Sequence, residues 1–203
     1  MFLKDWTYDG TDPGLKLFTL ANPLLPEVKR TTPAIFEIGC CDTDFMERAG
    51  KYATVYGIDW CERKHPNVDA MRGDVMTARL FECRADAIIS LSTIEHIGLG
   101  RYDHDPLDPY GDIKTIQRLR EHLAPGGFIY FDVPYAPEGY FLLNGNKCRV
   151  YDDVALRERF GPHTVLGYTT HAVDGWIEKP TTNQPGDRPY YYAAILIERK
   201  DGC

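Results

Sequence analysis

Short apolar runs alternate with amphipathic stretches along most of this chain. The apolar runs have the length and composition of buried strands, and they cover residues 34–38, 54–58, 85–91, 127–133 and 190–197. Two of the intervening stretches, residues 44–52 and 112–123, have the apolar spacing that predicts helices. Pro125-Gly126-Gly127 is expected to end the second helix and turn the chain into the next strand. The alternation predicts an α/β fold, with a parallel sheet covered by helices on both faces.

The two ends of the chain depart from this alternation. Residues 1–33 contain four prolines and one short amphipathic run, residues 15–20. We therefore expect a lead-in segment that packs over a single domain of residues 34–203. Near the C-terminus, residues 164–168 and 190–199 flank a stretch rich in proline and glycine, and they could pair as an antiparallel edge of the sheet.

Acidic residues and glycines follow several of the predicted strands. In an open α/β sheet the ligand binds beyond the carboxyl ends of the strands, so these residues are candidates for a site. Glu37 and Gly39 follow the first strand, and Asp59 ends the second, where a carboxylate can bond both hydroxyls of a ribose. Asp74, directly after Gly73, suits an adenine amino group. Each acid alone could be an ordinary strand-end residue, but the ordered set is difficult to explain in that way.

The first of these loops has an unusual composition for a nucleotide site. Glu37-Ile-Gly39-Cys-Cys41-Asp-Thr43 keeps one glycine where such loops usually carry two or three. The G-x-G-x-x-G of NAD-binding loops is absent. A cysteine has a Cβ, so the loop must turn in a conformation that is open to ordinary residues. We expect Cys40 and Cys41 to pack behind the loop. The alternatives are a cofactor that sits slightly further out, or a redox role for the pair.

Composition and charge narrow the classes of function. The net charge of the 203 residues is −7, which argues against non-specific binding to nucleic acid. No apolar run approaches the roughly 18 residues that would cross a membrane, and the N-terminal residues lack the features of a signal peptide. The six cysteines form no C-x-x-C pair, so they favour reduced thiols in a cytoplasmic protein over a structural zinc site.

The motifs after the strands occur in the order E-x-G, x-G-x-D, G-D-V, S-x-x-E-H and L-x-P-G-G. Over residues 34–134, this order and spacing resemble the class I S-adenosylmethionine-dependent methyltransferases. More narrowly, STIEHIGLGRYD followed by DPLDPYGD resembles small methyltransferase domains found near glycan-assembly enzymes. The resemblance implies a Rossmann-like, doubly wound sheet of seven strands, mostly parallel, with an antiparallel C-terminal hairpin. It also implies that S-adenosylmethionine is the cofactor, contacted by Glu37, Gly39, Cys40, Asp59, Trp60, Asp74, Val75, Leu91, Ser92 and Glu95.

His96 is the candidate for the base that an alcohol acceptor requires. A hydroxyl must lose its proton as its oxygen attacks a methyl group, and an imidazole titrates near neutral pH. His96 directly follows the segment that should line the methyl donor. The alternative is that His96 begins a helix and only packs on the cofactor.

The run from Arg101 to Asp112 is rich in acids and aromatic residues. Carboxylates accept hydrogen bonds from sugar hydroxyls and aromatic rings stack on sugar faces, so we expect Asp105 and Asp108 to contribute to catalysis. The residues expected to bind the acceptor are Arg101, Tyr102, Asp103, Arg149 and Tyr151. Clustered carboxylates could instead hold Mg²⁺ or Mn²⁺, an alternative that we do not favour. Asp112 is expected to cap the helix that follows.

Together these observations predict an O-methyltransferase that acts on a sugar hydroxyl of a glycan. Its partners would be a small-molecule or oligosaccharide acceptor and, by the resemblance, glycosyltransferase domains. One alternative is methylation of a nitrogen or carboxyl group on a small molecule or protein, which needs little or no base. The other is a non-catalytic domain that serves as an interaction module, which would explain the loss of glycines from the first loop.

Overall fold

The computed structural model describes residues 2–4, 6–41, 43–60, 69–80, 82–102, 105–145, 147–170, 175–186 and 190–199. The α-helices of this part of the chain are α1 (Pro13–Ala21), α2 (Phe45–Ala49), α3 (Gly111–His122) and α4 (Asp153–Phe160). The strands are β1 (Ala34–Ile38), β2 (Thr54–Asp59), β3 (Asp69–Arg72), β4 (Ala85–Ser90), β5 (Leu123–Tyr135), β6 (Phe141–Leu143), β7 (Cys148–Val150), β8 (Thr164–Thr169) and β9 (Tyr191–Glu198). Short 3₁₀ helices occupy Asn22–Leu24 and Ile94–His96. Every helix within the described ranges is too short or too polar to span a membrane.

Seven strands form one sheet in the order β3-β2-β1-β4-β5-β9-β8. The first five of these strands pair in parallel, and β9 runs antiparallel to both of its neighbours, β5 and β8. The predicted fold class is therefore confirmed, including the antiparallel C-terminal pair. The strand order reverses between β1 and β4, and such a reversal leaves a crevice at the carboxyl ends of the strands.

The strands are apolar because helices cover both faces of the sheet. Every residue of β1 and of β4 is buried. On one face, α3 and α4 contribute Ile116 and Leu156 to the core. On the other face, Phe18 of α1 packs edge-on against Phe45 of α2, with ring centroids 5.1 Å apart. The N-terminal segment adds Trp6 to the same layer.

The start of α3 differs from the prediction. Tyr110 occupies the N-cap position, so the expectation that Asp112 caps this helix is wrong. Asp112 lies in the first turn with no exposed surface. Its carboxylate accepts hydrogen bonds from the Tyr151 hydroxyl at 2.9 Å and from Nε of Arg159 at 2.6 Å. The acid is therefore used to join α3 to the elements that follow β5 in the chain.

The end of α3 also comes earlier than expected. The helix ends at His122, and β5 begins at the next residue. Pro125-Gly126-Gly127 consequently lies inside β5, where the pairing with β4 shifts register between Ala85 and Ala87. The apolar pattern did not reveal β3, β6 or β7, because strands of three or four residues are too short for an alternation to be recognised.

Candidate active site

A cleft of about 270 Å³ opens at the carboxyl ends of β1, β2 and β4, where the strand order reverses. Its walls come from the segments after these strands, from the start of α1 and from the loop before α3. The predicted site residues that line it are Gly39, Asp59, Trp60, Asp74, Val75, Leu91, Ser92, His96, Arg101, Tyr102 and Asp105. The structure therefore brings most of the predicted contacts together in one cavity.

Gly39 is required for the shape of the loop after β1. Its φ angle is 81°, in the left-handed region that residues with a side chain seldom adopt. A Cβ at this position would overlap the side chain of Thr93, in the segment after β4. Two loops that line the cleft approach each other closely here, and only glycine permits that approach.

The two cysteines of this loop have different surroundings. Cys40 is buried, and its sulfur lies so close to β2 that a Cβ on Gly57 would come within 2.8 Å of it. Its side chain therefore packs behind the loop and does not line the cleft. Cys41 is half-buried, and its backbone N–H donates to Oδ2 of Asp59 at 2.9 Å. The backbone of one cysteine thus orients the carboxylate at the end of β2.

Glu37 lies beneath the loop and not in the cleft wall. It has no exposed surface, and Oε1 accepts a hydrogen bond from the hydroxyl of Thr43. Thr43 itself lines the cleft. Glu37 therefore supports the loop from below, and its placement does not give the direct cofactor contact expected from the sequence.

Asp74 and Val75 form the wall next to Asp59. The carboxylate of Asp74 accepts a hydrogen bond from the N–H of Met76 at 2.8 Å, which fixes the turn after β3. Val75 is buried and adds an apolar surface to the cleft that both carboxylates line. An apolar wall together with carboxylates suits a flat base attached to a ribose.

Asp132, in β5, holds the floor of the cleft, although the sequence analysis did not select it. Ser92 lines the cleft with a φ angle of 47°, an unusual value for a residue other than glycine. The Asp132 carboxylate fixes this conformation by accepting from the Ser92 N–H at 3.2 Å and from its hydroxyl at 3.0 Å. Burial raises the pKa of Asp132 to about 6. The signal that could have identified Asp132 in the sequence is its position as a lone acid in the apolar run of β5.

His96 is held as a neutral imidazole. Nδ1 lies 2.6 Å from the carbonyl oxygen of Lys147, and because a carbonyl only accepts, Nδ1 carries the ring proton. Nε2 then has the lone pair, which accepts from the guanidinium of Arg101. Burial, followed by the charges of Arg101 and Arg149, lowers the pKa of His96 to about 4. At neutral pH this ring is therefore an unprotonated base on the cleft wall.

Glu95 lies behind His96 and does not line the cleft. It is 3% exposed, and Oε1 is 3.5 Å from Nε2 of His96. Within the described part of the chain, Oε2 has no hydrogen-bond partner. Burial, reinforced by the charge of Asp132, raises the pKa of Glu95 to about 8. The side chain thus carries a proton at neutral pH, and its position does not give the cofactor contact expected from the sequence.

Replacing Glu95 with glutamine is expected to reduce the loss of stability toward alkaline pH. An unfolded glutamate ionises near pH 4.5, whereas the folded one keeps its proton up to about pH 8. The free energy of unfolding of the wild type should therefore fall as the pH rises through this window. Urea unfolding curves measured across the same pH window should show the free energy of unfolding of Glu95→Gln rising by more than about 1 kcal/mol relative to that of the wild type. The exposed Glu158→Gln is the control and should follow the wild type, and a Glu95→Gln difference that does not change with pH would contradict this assignment.

Glu95, His96 and Cys148 come closest to a metal site among the described residues. One donor atom of each lies within 4.8 Å of the others. The set offers one oxygen, one nitrogen and one sulfur, which does not suit Mg²⁺ or Mn²⁺, because these ions prefer oxygen ligands. Burial also raises the pKa of the Cys148 thiol to about 12, so the thiol is protonated at neutral pH.

The carboxylates of Asp105 and Asp108 lie in different surroundings. Asp105 lines the cleft and accepts a hydrogen bond from the N–H of Arg101 at 3.1 Å, and burial raises its pKa. Asp108 lies outside the cleft wall, accepting from the N–H of Tyr110 at 3.0 Å and pairing with Nζ of Lys114 at 2.5 Å. Its placement does not support a catalytic role, because its carboxylate is used by the turn and by Lys114. The two acids also do not converge on an oxygen-ligand metal site.

Arg149 and Tyr151 are buried and do not reach the cleft. Arg149 has no exposed surface, donates to the carbonyl of Ile97 at 2.7 Å and lies 3.6 Å from the carboxylate of Asp112. Tyr151 is equally buried and donates to the same carboxylate. Both residues were expected to bind the acceptor, but their polar groups instead hold the loop before α3 in place. Asp103, expected to do the same, lies outside the described residues.

The start of α1 contributes cleft residues that lie outside the motifs found in the sequence. They are Asp12, Pro13 and Gly14. Asp12 caps α1 by accepting from the N–H of Leu15 at 2.8 Å, and Gly14 packs against Leu91. Asp-Pro at the start of a helix is a strong cap signal. The sequence thus indicated where α1 begins, but not that this end would lie over the strand ends.

The strand order and the position of the cleft identify the fold. Seven strands in this order, with one antiparallel strand inserted between β5 and β8 and a cleft at the topological reversal, form the fold of class I S-adenosylmethionine-dependent methyltransferases. The predicted resemblance is confirmed for the fold.

Three solved structures illustrate the similarity. The 1,6-didemethyltoxoflavin-N1-methyltransferase of Burkholderia thailandensis, solved with 1,6-didemethyltoxoflavin and S-adenosylhomocysteine, superposes with a TM-score of 0.60 at 14% identity, over 92% of this chain and 77% of that one. The N-methyltransferase NodS of Bradyrhizobium japonicum, solved with S-adenosylhomocysteine, superposes with a TM-score of 0.57 at 12% identity, over 91% of this chain and 83% of that one. The CcbJ methyltransferase of Streptomyces caelestis superposes with a TM-score of 0.58 at 12% identity, over 98% of this chain and 94% of that one.

Sequence comparison adds one match. The family described as "Caenorhabditis protein of unknown function, DUF268" matches residues 73–172. No curated protein sequence matches the chain at a significant level. The structural similarity at this low identity establishes the fold, so the reaction and the acceptor have to be argued from the site itself.

Proposed function

We propose that this chain is an S-adenosylmethionine-dependent methyltransferase whose acceptor is a sugar hydroxyl of a glycan. The observation that carries the proposal is His96. It is a neutral imidazole with an unprotonated Nε2, and it lines the same cleft as the carboxylate of Asp59. A base of this kind is required for a hydroxyl acceptor.

The residues of the cleft fit the cofactor. Gly39 leaves the loop side open, and Asp59, with its carboxylate oriented by a backbone N–H, would hold the ribose. Asp74 and Val75 would face adenine, and Leu91, after β4, would line the methionine side. When bound, S-adenosylmethionine supplies a methyl group that a nucleophile can accept.

His96 and Arg101 would control the removal of the proton from the acceptor hydroxyl. The hydrogen bond from Nδ1 to Lys147 fixes the tautomer of His96, so Nε2 is the nitrogen that accepts the proton of the hydroxyl. Arg101 has to leave Nε2 for the hydroxyl to reach it. Its departure removes one of the positive charges that lower the pKa of His96, and the imidazole then becomes a stronger base.

The surroundings of His96 favour a sugar over a nucleic acid. Tyr102 is 45% exposed at the cleft, and Asp105 supplies a carboxylate on the same wall. An exposed ring beside an acceptor carboxylate suits the apolar face and the hydroxyls of a sugar. The net charge of −7 disfavours a polyanionic acceptor.

A nitrogen acceptor is the second candidate. The low pKa of His96 makes it a weak base as long as Arg101 contacts it, and an amine needs little help from a base. Two of the similar structures are N-methyltransferases.

Two measurements test the proposal. Calorimetric titration with S-adenosylmethionine and S-adenosylhomocysteine should show binding of both, and no heat from either would leave only the interaction module. Transfer of a labelled methyl group to a panel of nucleotide sugars, oligosaccharides and amines, with and without EDTA, should then label sugar hydroxyls irrespective of EDTA. Transfer to amines alone would overturn the sugar acceptor.

Replacing Asp59 with alanine is expected to weaken the binding of S-adenosylhomocysteine by about 10- to 100-fold. Hydrogen bonds to a charged group contribute about 1.5–3 kcal/mol each, and the substitution also releases the N–H of Cys41. The dissociation constant from calorimetry checks this result. Glu47→Ala, an exposed acid on α2, is the control that should keep wild-type affinity. Equal affinities in both variants would remove Asp59 from the ribose site.

A further inference from the structure

A second cavity, of about 330 Å³, lies beside the cleft at the same edge of the sheet. One wall is formed by the end of β8 and the start of β9, where Thr169 pairs with Tyr192. The start of β9 in turn pairs with the carboxyl end of β5. The opposite wall belongs to the N-terminal segment, and Pro13 lines both cavities. The two cavities are therefore neighbours, separated by the beginning of α1.

The wall between the two cavities is held in place by its own contacts. The hydroxyl of Tyr8, in the second cavity, accepts a hydrogen bond from the N–H of Asp12, in the cleft, at 3.0 Å. The guanidinium of Arg48 lies 4.9 Å from the centre of the Tyr8 ring and fixes its orientation. The phenol proton of Tyr8 remains to be donated, because its oxygen is the acceptor in the bond to Asp12. The second cavity thus presents a rigid ring and a hydrogen-bond donor next to the cleft.

The other wall is linked to the cleft through β5. Tyr192, near the start of β9, pairs with Pro134 of β5. Asp132 lies in the same strand, and its carboxylate fixes Ser92 on the cleft floor. The second cavity and the cleft are therefore joined by one strand of the sheet.

The composition of the second cavity indicates a neutral, hydroxylated ligand. Its lining contains hydroxyls from tyrosines and threonines, with the apolar side chains of Leu17 and Leu20. Asp9 and Lys16 are the charged residues among the described lining, and their opposite signs cancel. A phosphate or carboxylate ligand would require a net positive site. A sugar ring has both hydroxyl edges and an apolar face, which matches tyrosine rings and threonine hydroxyls.

We propose that this second cavity is an acceptor subsite that binds a neutral sugar ring of the glycan while the hydroxyl to be methylated lies in the cleft at His96. The proposal rests on the proposed function and adds the part of the chain that recognises the acceptor. The N-terminal segment and the β8–β9 edge would then determine which glycan is bound, and the segments after β1, β2 and β4 would bind the cofactor.

Filling the subsite from either wall tests this assignment. Thr11→Trp and Thr170→Trp each place an indole in the second cavity and leave the cleft residues unchanged. Thr164→Trp, at the exposed opposite end of β8, is the matched control. The probes are neutral p-nitrophenyl hexosides and 6-deoxyhexosides, and the one that the wild type methylates fastest is used for all variants. Both filled variants should raise KM for that glycoside by about 10-fold or more, equivalent to about 1.4 kcal/mol of lost binding, and the control should not.

The outcomes separate the subsite from the function on which it rests. Affinity for S-adenosylhomocysteine should stay within about twofold of wild type in all three variants, which also shows that they are folded. If the wild type methylates a glycoside and both filled variants keep its KM, the subsite is refuted and the proposed function stands. If the wild type binds S-adenosylhomocysteine but methylates no glycoside, the sugar acceptor fails and the subsite fails with it. Because Thr11 is exposed in a loop, its variant remains decisive if Thr170→Trp does not fold.

Discussion

Replacing His96 with alanine is expected to lower kcat by about 10²- to 10⁴-fold, the usual contribution of a general base. The affinity for S-adenosylhomocysteine should change little, because Asp59 and Asp74, which would hold the ribose and the adenine, lie at the ends of β2 and β3, on other segments of the cleft. Steady-state methyl transfer to a sugar acceptor measures kcat, and calorimetry on the same preparations measures the affinity for S-adenosylhomocysteine.

The pH profile gives an independent measure of the same role. The pKa of His96 is lowered to about 4, so its imidazole stays neutral well below the ordinary value of 6.5. The free enzyme, in which Arg101 contacts Nε2, determines kcat/KM, so kcat/KM should be flat through mildly acidic pH and fall only as the pH approaches about 4. The acceptor complex, which Arg101 has left, determines kcat, so kcat should fall at a higher pH. A fall of kcat/KM centred nearer 6.5 would contradict the lowered pKa of His96 in the free enzyme. His122→Ala, on α3, is the control and should keep wild-type kcat. Wild-type kcat in His96→Ala would remove His96 from the base role and favour a nitrogen acceptor.

Replacing Arg149 with methionine is expected to destabilise the fold by about 3–5 kcal/mol, the usual result of breaking a fully buried ion pair. The guanidinium donates to the carbonyls of Ile97 at 2.7 Å and Pro109 at 3.3 Å and faces the carboxylate of Asp112. Methionine fills similar volume but removes the donor to the Ile97 carbonyl and the positive charge that faces Asp112. Pro109 keeps the guanidinium of Arg159, and Asp112 keeps Arg159, Tyr151 and the N–H of Ile113. Urea unfolding at neutral pH measures the loss.

The control for Arg149 is Arg157→Met on the exposed side of α4, which should change stability by less than about 0.5 kcal/mol. A loss below about 1 kcal/mol in Arg149→Met would show that the buried network tolerates the missing charge. We also expect folded Arg149→Met protein to lose activity, because Arg149 bonds the carbonyls of Glu95 and Ile97, on either side of His96.

The fold could be predicted because its determinants are local. Buried parallel strands occur in the sequence as apolar runs, and β1 and β4 were recognised on that basis. The residues after parallel strands meet at one edge of the sheet, so the sequence alone predicts that Gly39, Asp59 and Asp74 share a cleft.

The parts of the site that could not be predicted depend on contacts between distant segments. The bond from Arg149 to Ile97 spans 52 residues, and the bond from Tyr151 to Asp112 spans 39. A polar residue near a site looks the same in the sequence whether it faces the ligand or a buried carbonyl. Burial decides between the two, and burial is a property of the assembled fold. Asp12 was missed for a related reason, because its nearness to the strand ends depends on how α1 packs.

The loop after β1 bears on how such cofactor sites are recognised in sequences. The structure requires a glycine at Gly39, where two loops approach each other, while Cys40 and Cys41 occupy positions where a side chain is tolerated. A search that demands three glycines would pass over this chain. Glu37, beneath the loop, accepts a hydrogen bond from Thr43, and Asp59, at the end of β2, accepts one from the N–H of Cys41. A pattern built on Glu37, Gly39 and Asp59 would therefore detect loops that have lost their other glycines.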